Sequence, residues 1–242
     1  MVSQLRDAAD SRARLRAAAA EEFAARGFAG ATVDRIAARA RVTKAMVYYH
    51  FASKAALYRE ILRDFFAAVA SRVVDVRAAG GPADAQLGAF IRAINETALA
   101  EPRFPPMWLR EIADGGRHLD DAIVRQMTRV LGTLADILAD GRSAGAFRDV
   151  PPLIVQFGIV GPLLLAAATE PIRDRTAGAA STARRGRSDG RPPRVSAVRR
   201  PLLPIPPITR DAVVEHVQRT TLAALRPLDS TTPRRQPVRR QQ

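Results

Sequence analysis

Apolar residues recur three and four positions apart along most of this chain, and no sustained alternating stretch interrupts them, which predicts helices and no sheet. The first stripe, Leu15, Ala19 and Phe23, belongs to a helix from about Ser11 to Arg26, with Gly27 placed to terminate it. Three more helices follow at short intervals. Thr32 is a good N-cap for a helix from Val33 to Ala40, Thr43 for one from Lys44 to Tyr49, and Ser53 for one from Lys54 to about Val76. A hydroxyl at such a position accepts from the amides that a helix start leaves unpaired. After the break at Ala78-Ala79-Gly80-Gly81-Pro82, helices are expected at about 84–100, 104–114, 119–141 and 151–169. Pro102, Pro105-Pro106, Gly115-Gly116, Gly145 and Pro151-Pro152 mark their joints. Thr209 caps a last amphipathic helix to about Leu225, with Val213, Val217, Leu222 and Leu225 as its apolar positions.

The expected architecture is therefore all-α: an N-terminal three-helix domain over 1–56 containing a helix-turn-helix, and a larger helical domain over 57–170 and 208–226. Between the two parts of the larger domain, 171–207 is rich in Arg and Pro and carries no helical stripe, so a disordered basic insertion is expected there, with a loose tail over 227–242. Composition sharpens this picture. There is no cysteine, which excludes a disulfide framework and thiolate metal sites and fits a cytoplasmic protein. The longest apolar run, 157–169, spans 13 residues against the ~20 that cross a bilayer, so no membrane partner is expected. The net charge of +14 is unevenly spread: +5 over 1–60, −2 over 61–170 and +11 over 171–242. Thirty-six of the 38 basic residues are Arg, and both lysines, Lys44 and Lys54, lie within 31–57.

That stretch carries the chemistry. It reads helix, three-residue turn, helix: Ile36 and Ala37 can face Val42 and Val47 across the turn, and small Ala37 and Ala40 let the helices approach closely. Such packing turns the surface from Thr43 to His50 outward. Tyr48, Tyr49 and His50 then present donors, and Thr43 with the helix's N-terminal amides suits a phosphate. His50 can instead cap its own helix, and Phe51 reads as core.

With Phe23, Gly27, Phe28, Thr32, Val33, Ile36, Ala37, Val42, Thr43, Val47, Tyr48, His50, Phe51, Lys54, Leu57 and Tyr58 at these spacings, residues 12–62 resemble the tetracycline-repressor (TetR/AcrR-like) family of transcriptional regulators. The resemblance implies a sequence-specific DNA-binding homodimer that represses transcription and is released from a near-palindromic operator on double-stranded DNA by a small molecule. It implies phosphate contacts from Thr32, Thr43, Tyr48, His50 and Lys54, and base-edge contacts from Lys44, Ala45 and Tyr49. Two positions depart from expectation. Arg41 stands in the turn where the family pattern has glycine, and Asp34 places a carboxylate near the groove, where it can accept from a cytosine amino group or repel the backbone.

Beyond about residue 62 the resemblance fades to a helical layout, which implies that 151–169 and 209–225 pair with their copies in a second subunit. Gly158 and Gly161 beside Phe157, Ile159, Leu163 and Leu164 suit that close packing. The layout also implies a pocket for a largely apolar small molecule, with Phe65, Phe90, Ile94, Phe104, Met107, Trp108, Met127, Leu131 and Phe157 as candidate walls. Asn95, Glu111, His118 and Gln126 are its candidate polar contacts, and Met107-Trp108 after Pro105-Pro106 is the favoured spot. No cofactor, metal or catalytic residue is expected: His50, His118 and His216 lie far apart, and no nucleophile motif or phosphate loop is present. The competing readings are an architectural protein holding DNA nonspecifically through its basic segments, and a helical enzyme.

Overall fold

The computed structural model describes residues 2–170, 172–173 and 208–227, with side chains from residue 9 onward. Among the described residues run the helices α1 (Val2–Gly30), α2 (Val33–Ala40), α3 (Lys44–His50), α4 (Lys54–Ala79), α5 (Ala83–Ala100), α6 (Phe104–Ala113), α7 (Asp121–Ser143), α8 (Pro152–Ala168) and α9 (Arg210–Leu225), and no strand. Apart from Ile172 and Arg173, which are helical, the segment 171–207 lies outside the described residues, as does the tail past 227.

The starts of the helices follow the hydroxyl and carboxylate caps. Thr32 accepts from Arg35 N, Thr43 from Met46 N, Ser53 from Ala56 N, Asp120 from Ile123 N and Thr209 from Ala212 N. The regular part of α1 ends at Gly27 as expected: its φ of 70° and ψ of 175° break the helix, and one further turn follows to Gly30. A positive φ there is open to glycine and strained for other residues.

One continuous core runs the length of the molecule. In the head it gathers Leu15, Phe23, Ile36, Val47, Phe51 and Leu57; in the body it continues through Leu62, Phe90, Ile91, Met107, Ile123, Leu134, Ile137, Ile159 and Val217. The long helix α4 belongs to both, packing against α1 at one end and α5 and α7 along the rest, while α8 and α9 pair at the far side. No helix among the described residues is long and apolar enough to cross a membrane.

The outward surface of α8 is not the one expected. Ile159 and Leu163 are buried within the chain, whereas Leu153, Ile154, Phe157 and Leu165 are exposed. Phe157, at 66% exposure, is thus neither a wall of an internal pocket nor part of the core. The helix is apolar on every side, so sequence spacing had no polar face from which to set its rotation.

Candidate nucleic-acid interface

The turn between α2 and α3 fixes the geometry of the head. Arg41 adopts the left-handed conformation, φ 56° and ψ 45°, as the only non-glycine described residue with positive φ. Its N–H donates to Ala38 O at 3.1 Å and the Val42 N–H to Ala37 O at 3.0 Å, so two of the last four carbonyls of α2 are satisfied. The left-handed geometry costs a residue with a Cβ about 1 kcal/mol. Ile36, Ala37 and Ala40 from α2 and Val47 from α3 are buried against one another and α1, leaving α3 one outward face.

That face consists of Lys44, Ala45, Tyr48 and Tyr49, all exposed, with Tyr49 at 74%. A tyrosine this open contributes little to folding, and its ring and hydroxyl are free to meet another surface. Thr32 and Thr43 are exposed as well; each hydroxyl accepts from its helix amide and keeps its proton to donate. The Lys44 ammonium lies 3.0 and 3.2 Å from the two carboxylate oxygens of Asp34 on α2. The hydrogen bond that Lys44 donates to Asp34, aided by the carboxylate's charge, holds Lys44 above the ordinary lysine value.

The other two candidates are tied inward. His50 Nε2 is 2.7 Å from Ser11 Oγ on α1, which anchors the end of α3. Lys54 donates to Phe28 O at 2.8 Å and Ala31 O at 3.0 Å, and its ammonium sits 4.3 Å from the centre of the Phe28 ring. Its first task is to hold the chain after the Gly27 kink, and two of its three protons are committed there.

Behind this face a second set of contacts, not visible in the sequence, joins head to body. Arg110 on α6 donates to the carbonyls of Phe23, Ala24 and Ala25, the acceptors exposed where the kink ends the regular part of α1. Arg103 bridges to Glu21 at 2.6 Å, and Arg39 of α2 reaches the same carboxylate at 2.6 Å. Burial raises the Glu21 value, but the hydrogen bonds and charges of these two arginines outweigh it and hold it below 4.5.

Glu111, proposed from sequence as a ligand contact, is already occupied. At 1% exposure it accepts from His118 N at 2.8 Å and pairs with His118 Nδ1 at 2.9 Å. His118 in turn lies against Phe28 and Tyr58. Burial first, and Glu111 second, push the Tyr58 hydroxyl far above its ordinary value, so it stays a neutral donor. His118 thus pairs within this cluster, and no group of three or more potential metal ligands occurs among the described residues.

Of the candidate pocket walls, Phe65, Phe90, Ile94, Phe104 and Met107 are buried, and Trp108 and Met127 half-buried. They are packed ring on ring: Phe65 stacks on Phe104 with centroids 3.3 Å apart, and Phe66 meets Trp108 edge-on at 4.9 Å. Hollows lie elsewhere. One of about 310 Å³ opens between α7 and the start of α8, beside Asp136, Arg142, Arg148 and Asp149; one of about 20 Å³ is lined by Asn95 together with Leu163 and Val213. Sequence reasoning missed Gln156 of α8, whose Oε1 is buried without a hydrogen-bond partner among the described residues.

Residues 15–61 match the model of the bacterial regulatory proteins of the tetR family. Over 57 residues the chain is 44% identical to the HTH-type transcriptional repressor SCO4008 of Streptomyces coelicolor, an alignment covering 24% of this chain and 30% of that protein. The whole fold is shared with a putative fatty acid metabolism regulator of Clostridium perfringens, at TM-score 0.64 and 17% identity, covering 87% of this chain and 97% of that one. It is shared equally with the ketosteroid transcriptional regulator KstR2 of Mycobacterium tuberculosis, at TM-score 0.63 and 20% identity, covering 90% and 95%. A helix-turn-helix head on an all-helical body is the class of molecule these findings define. In its head sequence over residues 15–61 and in its fold, the chain is similar to TetR-family regulators.

Proposed function

We propose that two copies of this chain bind a near-palindromic operator on double-stranded DNA in the cytoplasm and repress transcription until a small molecule releases them. The observation that carries this reading is the outward face of α3, where Lys44, Ala45, Tyr48 and Tyr49 stand exposed on a helix held rigidly from behind. A short helix of that chemistry fits a major groove, with Thr32, Thr43, Tyr48, His50 and the remaining proton of Lys54 positioned for phosphates and Lys44, Ala45 and Tyr49 for base edges. The DNA-binding domain is 1–56, and the body comprises 57–170 with 208–226.

The second subunit docks on α8 and α9. Leu153, Ile154, Phe157 and Leu165 make an exposed apolar strip on α8, which water disfavours and a copy of the same strip would cover. The ligand enters the aromatic cluster of Phe65, Phe90, Ile94, Phe104, Met107 and Trp108 by displacing rings that now fill it.

Sequencing of genome fragments retained by the pure protein at physiological salt tests the operator. A two-fold motif is the expected result, and indiscriminate binding with a steep salt dependence would transfer the function to nonspecific DNA packaging.

A further inference from the structure

The Asp34–Lys44 pair is poorly explained by folding. An exposed ion pair stabilises a protein by ~0–1 kcal/mol, and these side chains are 71% and 53% exposed. Asp34 in the first turn of α2 suits that helix's dipole, but Lys44, the first residue of α3, opposes the dipole of its own. A phosphate contact explains it no better, because the adjacent carboxylate cancels the lysine's charge and repels the DNA backbone. The pair nevertheless sits at the edge of the exposed α3 face, bridging the two helices of the helix-turn-helix.

What the pair does present is a strong donor and a strong acceptor side by side, 3.0 Å apart. The major-groove edge of a G·C pair shows the complement: guanine N7 and O6 accept, and the cytosine amino group beside them donates. Guanine O6 and cytosine N4 are hydrogen-bonded to each other and so lie ~3 Å apart, the same spacing. At an A·T pair the adenine amino group separates the two acceptors, and a thymine methyl flanks the second, so the ammonium meets one acceptor where guanine gives it two neighbouring ones.

We propose that Asp34 and Lys44 act together as a specificity determinant that reads one G·C pair in each operator half-site, an inference that rests on the operator-binding reading above. Lys44 donates to guanine, Asp34 accepts from cytosine, and their mutual hydrogen bond fixes the spacing. Asp34 is then not a tolerated negative charge but the group that keeps Lys44 off the phosphates and aimed at bases.

The test uses the full-length protein and the operator recovered by selection, with every base pair replaced in turn. Affinities are measured for the wild type, Asp34→Ala, Lys44→Ala and the double variant, with thermal melts as a folding control. Both side chains are exposed, so all four proteins are expected to melt alike. One symmetric G·C position should cost the wild type ~10- to 100-fold in affinity when changed to A·T. That discrimination should collapse in each single variant, and the double variant should be no worse than either. An unchanged base profile in Asp34→Ala overturns the proposal. So does a Lys44→Ala variant that weakens binding equally at every sequence and flattens the salt dependence, since that is the signature of a phosphate contact. A wild type without any preferred sequence would instead defeat the operator reading itself, and this inference with it.

Discussion

Arg110→Ala removes the arginine that satisfies three carbonyls at the kink of α1, those of Phe23, Ala24 and Ala25. A hydrogen bond from a charged donor contributes about 1.5–3 kcal/mol when sheltered. Arg110 is exposed, so solvent screens its charge and water can replace part of what it gives. Its aliphatic stem also packs at Gly27, where Cδ lies 3.3 Å from the position a Cβ would take. A loss of about 2 kcal/mol in all follows, which for a chain of this size lowers the melting temperature by roughly 4–8 °C. Circular dichroism melts measure it directly, and hydrogen exchange locates it: amides from Gly27 to Ala31 should exchange faster while those of α7 stay protected. Arg110→Lys, a point charge that cannot span three acceptors, should recover less than half of the loss. A melting temperature within 1 °C of the wild type would refute the argument, because the kink would then be holding itself.

Phe157→Arg should convert a dimer to monomers in sedimentation with little change in secondary structure, whereas Leu163→Arg, buried inside one chain, should unfold the protein rather than split it. Arg41→Gly relieves the left-handed strain and should raise the melting temperature by about 1–3 °C, offset in part by the greater freedom of glycine in the unfolded chain. Asp120 gives a pH test. Burial raises its value, but the Ile123 N–H and the Arg63 guanidinium, 2.8 Å away, outweigh that and hold it below 3.8. A carboxylate depressed on folding stabilises above its unfolded value, and that stability is lost as pH falls through the folded one. The wild type should therefore lose stability below about pH 4 more steeply than Asp120→Asn, which keeps a cap but not the charge; parallel pH–melting curves would count against the bridge.

The head was legible because its signals are local. Thr32, Thr43 and Ser53 start their helices where hydroxyl caps must stand, and the turn at Arg41 adopts the left-handed geometry that the spacing demanded. What sequence could not show are contacts between distant residues. Gly27 was legible as the break in the first helix, but nothing near it reveals that Arg110, more than eighty positions on, supports the broken turn. Glu111 looked available for a ligand because its partner His118 lies past a Gly-Gly turn, where helical spacing no longer relates the two. The body's helices were placed within a few residues, but the rotation of α8 was misjudged, and the candidate pocket is a packed cluster whose opening no residue pattern encodes.

Helix α4 runs without a break from Lys54, beside the recognition helix, to Ala79 at the far end of the body. Its 26 residues make a rod about 39 Å long at 1.5 Å per residue. Pivoting such a rod by about 5° carries one end roughly 3 Å, close to the ~3.4 Å between neighbouring bases along a strand. A disturbance too small to repack the body can therefore shift the head by a whole base step, and with a second head fixed to the same duplex, that is enough to put the two out of phase.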